Sequence, residues 1–523
     1  MSRVGSRRAT SVALAGVAAL VLSACNLITG ADALTLDADA SAGPAHGGEQ
    51  PDAPAQPDAP EGGSTPAAAL VGAPGVALRS IELNQGVSQF VARDGEVVSG
   101  LVPVLAGRAA FVRVHYQTDA SYDGASVTAR LVLDDAQVLE QVVALGPAGA
   151  VSTIDFVVGA DGLGVQTSLR AELLQARADA AAENPLARLP MAGAAAIPLN
   201  AKAAPTLKLT LVPVRYDADG SGRLPDTSAA QLEAYANRFY AMYPVGGVAI
   251  TVRQQPLLWS VSTGAGGSGW EQLLEAVADL RASDGAADDA YYYGVFAPSP
   301  SFASYCASGC MAGLGYIGAP SAPYARAAIG LGFSGETALD TAVHELGHNH
   351  GREHAPCGGA AGTDPKFPHA NGGIGSAGYD LLTGEQFGAD AGYADVMGYC
   401  WPIWISDYTF TRIFQHATAI AGASIDVPPA LMNREYHRLR VDGEGKLTWL
   451  TPVKLATPPL GEAVSVTIAT TDDAEDVPGS LFRFDHLPGG TLLVPKSTSL
   501  AANIKSLETV VDGKKFFAGA STP

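Results

Sequence analysis

The residues best suited to chemistry in this chain lie in one short segment, residues 344–354, with the sequence His-Glu-Leu-Gly-His-Asn-His-Gly-Arg-Glu-His. His344 and His348 are four residues apart, so on a helix they share one face and can bind a single metal ion. Gly351 can adopt a left-handed conformation that ends the helix and turns His354 back as a third nitrogen ligand. Four of the ten histidines of the chain fall in this segment, which a helix with ordinary surface histidines does not explain.

Three neutral imidazoles leave a bound Zn²⁺ with its full charge and one open position, where the pKa of a bound water falls to roughly 7. Glu345 is adjacent to the first ligand and can take a proton from that water. The segment therefore predicts a hydrolytic zinc centre, with His344, His348 and His354 as metal ligands and Glu345 as the general base.

The segment matches the pattern His-Glu-x-x-His-x-x-Gly-x-x-His, and in this the chain resembles the metzincin zinc endopeptidases. Metzincins also have a methionine turn beneath the metal, and residues 395–400, Asp-Val-Met-Gly-Tyr-Cys, are similar to it. The resemblance implies that Met397 packs beneath the imidazoles and that Tyr399 reaches the metal or the developing oxyanion. The alternative for Tyr399 is a core aromatic residue. Ala355, which follows the third histidine, marks no particular metzincin branch, and the histidine-rich core loosely resembles secreted mucin-cleaving metalloproteases.

The resemblance covers roughly residues 205–422 and implies an α+β metzincin catalytic domain with a mixed sheet, a zinc helix and a methionine turn. The predicted order of elements agrees with that plan: strand, helix, strand, helix, three strands, zinc helix and a final helix. In the metzincin plan, the strand beside the cleft binds extended substrate by strand addition. Residues 314–318 are the candidate for this strand.

Composition shifts along the chain predict five segments. Residues 26–74 are rich in Ala, Pro and Gly and are expected to be a disordered tether, since such a segment buries too little apolar surface to fold. Short alternating runs predict a β-sandwich over residues 75–203. The peptidase-like domain is expected over residues 204–424 and a small C-terminal β-domain over residues 425–523.

The first 25 residues have the pattern of an export signal, with three early arginines and an apolar stretch too short to span a bilayer. The stretch ends in Leu-Ser-Ala-Cys, which resembles a bacterial lipobox and predicts lipidation at Cys25. We therefore expect an exported protein that is lipid-anchored at the bacterial cell envelope or surface. The alternative is an ordinary secretory signal with a cysteine there by chance.

The four remaining cysteines allow three pairings, and an even number in an exported chain favours disulfides. The metzincin resemblance implies that Cys357 and Cys400 lie near each other, so that a bridge would join two parts of the site. Cys306 and Cys310 are close in sequence and are the second expected pair. A second metal site formed by the four cysteines is the rival hypothesis.

A second candidate metal site is weaker. Asp217, Asp219 and Ser221 resemble the first half of a calcium loop, but Ser228 stands where the closing carboxylate of such a loop is expected. The alternative is an ordinary polar turn, so Ca²⁺ is a secondary candidate cofactor beside Zn²⁺.

Three other histidines are not among the expected ligands. His350 lies on the opposite helical face from His348 and is expected to be structural or to support the ligands. His369 is a spare candidate ligand, with a loop residue as the alternative, and His115 is expected on a strand.

The charge balance restricts the partners. With 52 acidic against 32 basic residues the net charge is −20, which disfavours binding to a phosphate backbone, so we expect no nucleic-acid partner. The sequence thus predicts a zinc metalloendopeptidase acting on extracellular proteins or glycoproteins. Two alternatives remain open: a surface adhesion or glycan-binding lipoprotein with a vestigial zinc site, and a zinc hydrolase acting on a non-protein amide. The oligomeric state is left open.

Overall fold

The computed structural model describes residues 69–149, 151–177, 183–422, 428–471, 473–496 and 504–520. The predicted signal peptide, the lipidation at Cys25 and most of the predicted tether lie outside these residues. Across the described ranges, no helix has both the length and the apolar character needed to cross a membrane.

From residue 69 to residue 203, the described part of the chain forms strands and short 3₁₀ turns. Its strands are β1 (Ala69–Gly72), β2 (Val76–Asn84), β3 (Ser88–Arg93), β4 (Glu96–Val97), β5 (Leu105–Ala106), β6 (Ala110–Thr118), β7 (Val127–Leu133), β8 (Gln137–Val143), β9 (Val151–Val158), β10 (Ser168–Arg177), β11 (Arg188–Leu189), β12 (Ile197–Pro198) and β13 (Lys202–Ala203). Buried and partly exposed side chains alternate along β6 and β7, as expected for strands with one face in a core.

Eleven of these strands form two antiparallel sheets, and β5 and β13 pair in parallel as a small third sheet. One has the order β1-β10-β7-β8, with β11 and β12 also paired to β10, and the other has the order β4-β3-β2-β6-β9. Inward-facing residues of both sheets share one buried apolar core, which includes Ile81, Val112, Leu131 and Leu173.

The middle of the chain alternates strands and helices. Its elements are β14 (Thr206–Tyr216), α1 (Ala229–Met242), β15 (Gly247–Val252), β16 (Leu257–Trp259), α2 (Trp270–Ser283), β17 (Ala290–Phe296), α3 (Phe302–Tyr305), β18 (Gly313–Gly315), β19 (Ala327–Leu331) and α4 (Glu336–Asn349). Strands β15, β14, β17 and β19 are parallel in that order, and β18 adds to β19 in the antiparallel direction as an edge strand.

Helices cover both faces of this sheet, because its strands are apolar on both sides. Apolar residues of α1 and α4, such as Phe239 and Leu346, share a core with Leu209 of the sheet. On the other side, α2 buries Trp270 and Leu273 against the sheet. Helix α4 contacts β19 and β18 at one side of this sheet.

The last part of the chain begins with short strands and one long helix and continues as a large sheet. Its elements are β20 (Gly378–Tyr379), β21 (Gln386–Phe387), β22 (Ala394–Asp395), β23 (Ile403–Trp404), α5 (Asp407–Gly422), β24 (Arg434–Val441), β25 (Leu447–Leu455), β26 (Glu462–Ala469), β27 (Ala474–Arg483), β28 (Gly490–Pro495), β29 (Ser506–Val511) and β30 (Lys514–Ala518).

Strands β24 to β30 form one antiparallel sheet with the order β25-β24-β28-β27-β26-β29-β30. Its two edge strands approach each other, since Trp449 Nε1 donates a hydrogen bond to the Gly519 carbonyl over 2.8 Å. Arg440 of β24 forms an ion pair with the buried Glu275 of α2, with an Nε–Oε1 distance of 3.0 Å. The sheet is therefore docked on α2 by buried charge pairs.

The predicted fold class, an α+β metzincin catalytic domain between an N-terminal β-sandwich and a small C-terminal β-domain, is wrong. Over the described residues the chain is mostly β, with 40% strand, 18% helix and five α-helices, rather than a compact α+β metzincin. The physical reason is that the chain between α4 and α5 forms two-residue strands and one 3₁₀ turn, and that the C-terminal residues form a seven-stranded sheet packed on α2. The helices predicted from helical periodicity are present. Helical periodicity gives no information on the number of short strands around them.

Candidate metal centre

The helix α4 is buried along most of its length and ends where the chain turns. The predicted ligands His344 and His348 are four residues apart and both are buried. Gly351 has φ of +73°, a left-handed conformation that favours glycine, and a Cβ there would approach the Gly318 carbonyl. The turn at Gly351 reverses the chain and brings His354 to the same side as the two helical histidines.

The three imidazoles converge. The Nε2 atoms of His344 and His348 are 3.1 Å apart. The ring of His354 is centred 4.7 Å from the ring of His348 and 5.3 Å from the ring of His344. Nitrogen ligands about 2.0–2.1 Å from one tetrahedral ion lie roughly 3.3 Å apart, so the observed spacing suits a shared cation.

The outer nitrogen of each of these rings is held by a backbone carbonyl. The Nδ1 atoms of the three histidines donate to the carbonyls of Val396, Arg352 and Ala361 over 2.7, 2.6 and 2.5 Å, respectively. A carbonyl only accepts hydrogen bonds, so each Nδ1 carries the proton and each Nε2 presents a lone pair to the centre. Facing lone pairs repel each other, and a bound cation removes that repulsion.

The protonation states also suit metal binding. Burial lowers the pKa of His348 to about 3, with the neighbouring His354 and His486 adding to the effect and Asp485 opposing it. Burial and the adjacent imidazoles hold the pKa of His344 well below its usual value, and burial with His486 lowers the pKa of His354. The rings are therefore neutral at ordinary pH, as metal ligands must be.

Two further residues, Asp485 and His486, complete the cluster. Together with the three histidines they offer five ligand atoms that all lie within 4.8 Å of one another. The Asp485 side chain is fully buried, and its Oδ2 is 3.3 Å from His348 Nε2. This cluster of four imidazoles and one carboxylate could bind a metal ion.

Glu345 lies between the cluster and the edge strand β18. Its Oε2 is buried and has no hydrogen-bond partner among the described residues. Gly313 and Gly315 of β18 pass directly over it, and a Cβ on Gly313 would collide with the Glu345 carboxylate. Burial, followed by the nearby Asp485, raises the pKa of Glu345 well above its usual value. A buried carboxyl group with a raised pKa beside a ligand cluster has the character of a proton-transfer group.

The predicted Tyr399 and Met397 lie on either side of the cluster. The Tyr399 hydroxyl is 3.1 Å from His354 Nε2, and burial raises the pKa of this phenol. The phenol therefore stays protonated and can donate a hydrogen bond. Met397 is 1% exposed and packs against Gly347 of α4, where a Cβ would collide with the Met397 sulfur.

A cavity of about 310 Å³ opens beside these groups. Its lining includes Gly313, His344, Glu345, Tyr399, Trp401 and His486. The cluster is thus accessible from one side, next to the carboxylate of Glu345.

Both disulfides expected from the sequence are present. Cys357 is bonded to Cys400, and this bridge connects the segment after His354 to the segment that carries Tyr399. Cys306 is bonded to Cys310, just before β18. These bonds indicate an oxidising or extracellular environment. With all four cysteines paired, the rival hypothesis of a four-cysteine metal site is wrong.

The structure does not bring the other candidate residues to the cluster. His350 stacks on Tyr291, with ring centroids 4.6 Å apart, and its Nδ1 donates to the Leu346 carbonyl. His369 pairs with Asp407 over 2.5 Å. His115 lies on β6, 3.2 Å from Glu82.

The candidate calcium residues form a polar turn after β14. Asp219 is paired with Arg223 over 2.6 Å and accepts a hydrogen bond from the Ser221 backbone, so its carboxylate is already satisfied. Asp217 accepts a backbone hydrogen bond at its carbonyl from Gly220 in the same turn. Among the described residues, the only group of His, Cys, Asp and Glu side chains close enough to hold an ion is the cluster around His348.

Asp485 and His486 are the residues that the sequence did not reveal. They lie in the turn between β27 and β28, far along the chain from α4. Their only local signal is an Asp-His pair before Leu-Pro-Gly-Gly, which indicates a turn and not a ligand.

No protein-family model matches this chain, and no match was found among curated proteins. The fold and the site therefore define it only as a mostly β protein with a buried histidine–aspartate cluster that could bind a metal ion.

Proposed function

We propose that this chain is a zinc-dependent metalloendopeptidase that hydrolyses peptide bonds of extracellular proteins or glycoproteins. The observation that carries the proposal is the convergence of three imidazoles, whose Nδ1 atoms are bonded to backbone carbonyls, beside the buried carboxyl group of Glu345. The resemblance of residues 344–354 to the metzincin motif supports the same chemistry at the site. It does not extend to the fold, which is not that of a metzincin.

The donor set favours zinc over harder cations. Neutral imidazoles held by backbone carbonyls suit Zn²⁺, whereas Mg²⁺ and Ca²⁺ prefer oxygen ligands. His344, His348 and His354 would hold the ion. When bound in such a site, zinc acts as a Lewis acid that polarises a carbonyl and acidifies water.

Glu345 is the general base of the proposed reaction. Its Oε2 is buried and unpartnered among the described residues, so it can accept a proton from the attacking water. The C–O bond forms as Glu345 takes this proton, and Glu345 then donates the proton to the nitrogen of the departing amine, so that the peptide C–N bond breaks and the carbonyl of the product re-forms. The raised pKa of Glu345 favours the interval in which the carboxyl group holds the proton.

Tyr399 and β18 position the substrate. The protonated phenol of Tyr399, next to His354, can donate a hydrogen bond to the oxyanion that develops on the attacked carbonyl. Strand β18 is an edge strand that passes over Glu345, so an extended peptide paired with it would present its backbone to the carboxylate. The cavity beside Glu345 can accept a substrate side chain.

The proposed location is the bacterial cell envelope or surface, with a lipid anchor at Cys25. The two disulfides support an oxidising location, and the lipobox-like Leu-Ser-Ala-Cys sequence supports the anchor. The expected partners are therefore protein or glycoprotein substrates outside the cell and the membrane that carries the anchor.

The test is a comparison of wild type with Glu345→Ala on a mixed panel of unglycosylated and heavily glycosylated proteins. We expect the variant to retain one zinc per chain, measured by mass spectrometry of the metal, and to lose about 10²–10⁴-fold in kcat/KM. Removal of zinc by a chelator should abolish cleavage, and added Zn²⁺ should restore it.

The matched control is Glu336→Ala, since Glu336 lies in the first turn of the same helix and pairs with Arg238 on the surface. This control should keep wild-type kcat/KM. Full activity of Glu345→Ala, or cleavage that persists without metal, would contradict the proposed function.

A further inference from the structure

The turn between β27 and β28 enters the metal centre from another part of the fold. Its backbone continues the sheet beyond β18: the Ile317 amide donates to the Arg483 carbonyl over 3.1 Å, and the Asp485 amide donates to the Gly315 carbonyl over 3.2 Å. Tyr316 and Phe484 are paired between these bonds in the antiparallel direction, with their rings 5.6 Å apart. The turn is therefore added to the edge of β18 as a further short strand.

This edge is the one that an extended substrate would need. Along an antiparallel edge, every second residue directs its amide and carbonyl outward. Gly315 and Ile317 are such residues. The amide and the carbonyl of Gly315 are bonded to Asp485, and the amide of Ile317 is bonded to Arg483 at the end of β27. A substrate backbone cannot pair with the same groups while the turn occupies them.

The side chains of the turn fill the centre from the same side. Asp485 Oδ1 accepts a hydrogen bond from the Gly315 amide over 2.9 Å, which directs Oδ2 towards His348 Nε2. The His486 ring is 5.0–5.8 Å from the rings of the three other histidines and stacks on Tyr399 with centroids 5.7 Å apart. His486 also forms part of the cavity wall.

The placement of Asp485 itself indicates a cation. Its carboxylate is fully buried and faces an imidazole nitrogen whose proton lies on the opposite side of the ring. A carboxylate oxygen and an unprotonated nitrogen 3.3 Å apart repel each other. The same Oδ2 is paired with His486 Nδ1, which compensates for the buried charge but leaves this repulsion in place. A metal ion shared by Asp485 and the three histidines removes the repulsion.

We propose that the turn is an internal occupant of the substrate groove, with Asp485 as a fourth protein ligand of the metal ion, so that the folded chain has low activity until the turn is displaced. This inference rests on the proposed peptidase function. The rest of the sheet is docked on α2 through Arg440 and Glu275, outside the turn.

The experiment uses the full chain loaded with Co²⁺, whose visible absorption reports the number and type of ligands. Wild type is compared with the double variant Asp485→Ala/His486→Ala and with Asp485→Asn, which can keep the contact to the Gly315 amide if the double variant does not fold. The matched control is Asp476→Ala, an exposed residue of β27 in the same sheet.

Acetohydroxamate, a small chelating ligand, is the probe for open coordination positions. We expect the double variant to bind it at least about 10-fold more tightly than wild type, because the wild-type site is mostly closed. The Co²⁺ spectrum should change in the double variant and in Asp485→Asn, and should stay unchanged in Asp476→Ala. Peptidase activity should rise in the double variant and disappear when Glu345→Ala is added.

The failures of the two proposals can be distinguished. Identical Co²⁺ spectra and identical acetohydroxamate affinities for wild type and the variants would overturn the low-activity state while leaving the metal site intact. If wild type binds no Co²⁺, or if the opened variant binds metal but cleaves nothing, the proposed function fails.

Discussion

Helix α4 and its C-cap residue carry buried imidazoles on two sides, and the two sides differ in where the ring nitrogens point. On the metal-facing side, His344 and His348 direct their Nε2 atoms at each other and at His354. On the core-facing side, His350 stacks on Tyr291 and lies near His416. Burial lowers the pKa on both sides, so burial and a lowered pKa do not identify a ligand. The feature that identifies a ligand is the convergence of the free nitrogens.

The largest expected effect tests the metal-facing side. The substitution His348→Ala removes one of the converging nitrogens, and we expect the affinity for zinc to fall by more than about 100-fold. Loss of a group that only hydrogen-bonds to a ligand already lowers metal affinity by about 10–100-fold. A competition titration against a zinc-binding dye measures this change. If His348→Ala binds zinc as tightly as wild type, the cluster is not the metal site.

The second prediction concerns the core-facing side. Replacement His350→Ala leaves a cavity beside Tyr291 and removes the stacked ring, so we expect the free energy of unfolding to fall by about 2–4 kcal/mol. Urea denaturation measures the change. The folded variant should still bind one zinc per chain, and loss of zinc from a folded His350→Ala chain would remove the distinction between the two sides.

The smallest expected effect is a pH dependence at His416. Burial, followed by His350, lowers the pKa of His416 to about 2. Below pH 6.5, the unfolded chain protonates this histidine while the folded chain does not, so its contribution to stability falls as the pH falls from 6.5 towards 2. From pH 7 to pH 5 the loss is about 2 kcal/mol.

His416→Gln removes this contribution. The difference in unfolding free energy between wild type and the variant, both measured without metal, should therefore shift by about 2 kcal/mol in favour of the variant from pH 7 to pH 5. A difference that is the same at both pH values would show that His416 is not buried in its neutral form.

The parts of the site that depend on local geometry could be predicted from the sequence. Helical spacing fixes His344 relative to His348, and the left-handed Gly351 brings back His354, because these relations involve a few neighbouring residues. The backbone carbonyls that hold the Nδ1 atoms could not be predicted, since any residue can supply a carbonyl. Asp485 could not be predicted either, because its position depends on how the C-terminal sheet docks on α2.

The fold was harder to predict than the site. Strand periodicity gave the alternating β6 and β7, and helical periodicity gave α4. Neither period gives the register or the number of strands in a sheet, and two-residue strands such as β22 are too short to show any period. For this reason the sequence suggested an α+β domain with small flanking parts, whereas the chain is mostly β.

The bond between Cys357 and Cys400 determines when in the life of the chain the centre becomes stable. It joins positions 43 residues apart, and closure of such a loop restricts the unfolded chain by about 4 kcal/mol in the chain-entropy model. In a reducing environment this bond does not persist, and the segments of His354 and Tyr399 are then held together only by weaker contacts. Maturation of the centre therefore depends on oxidation of these two cysteines.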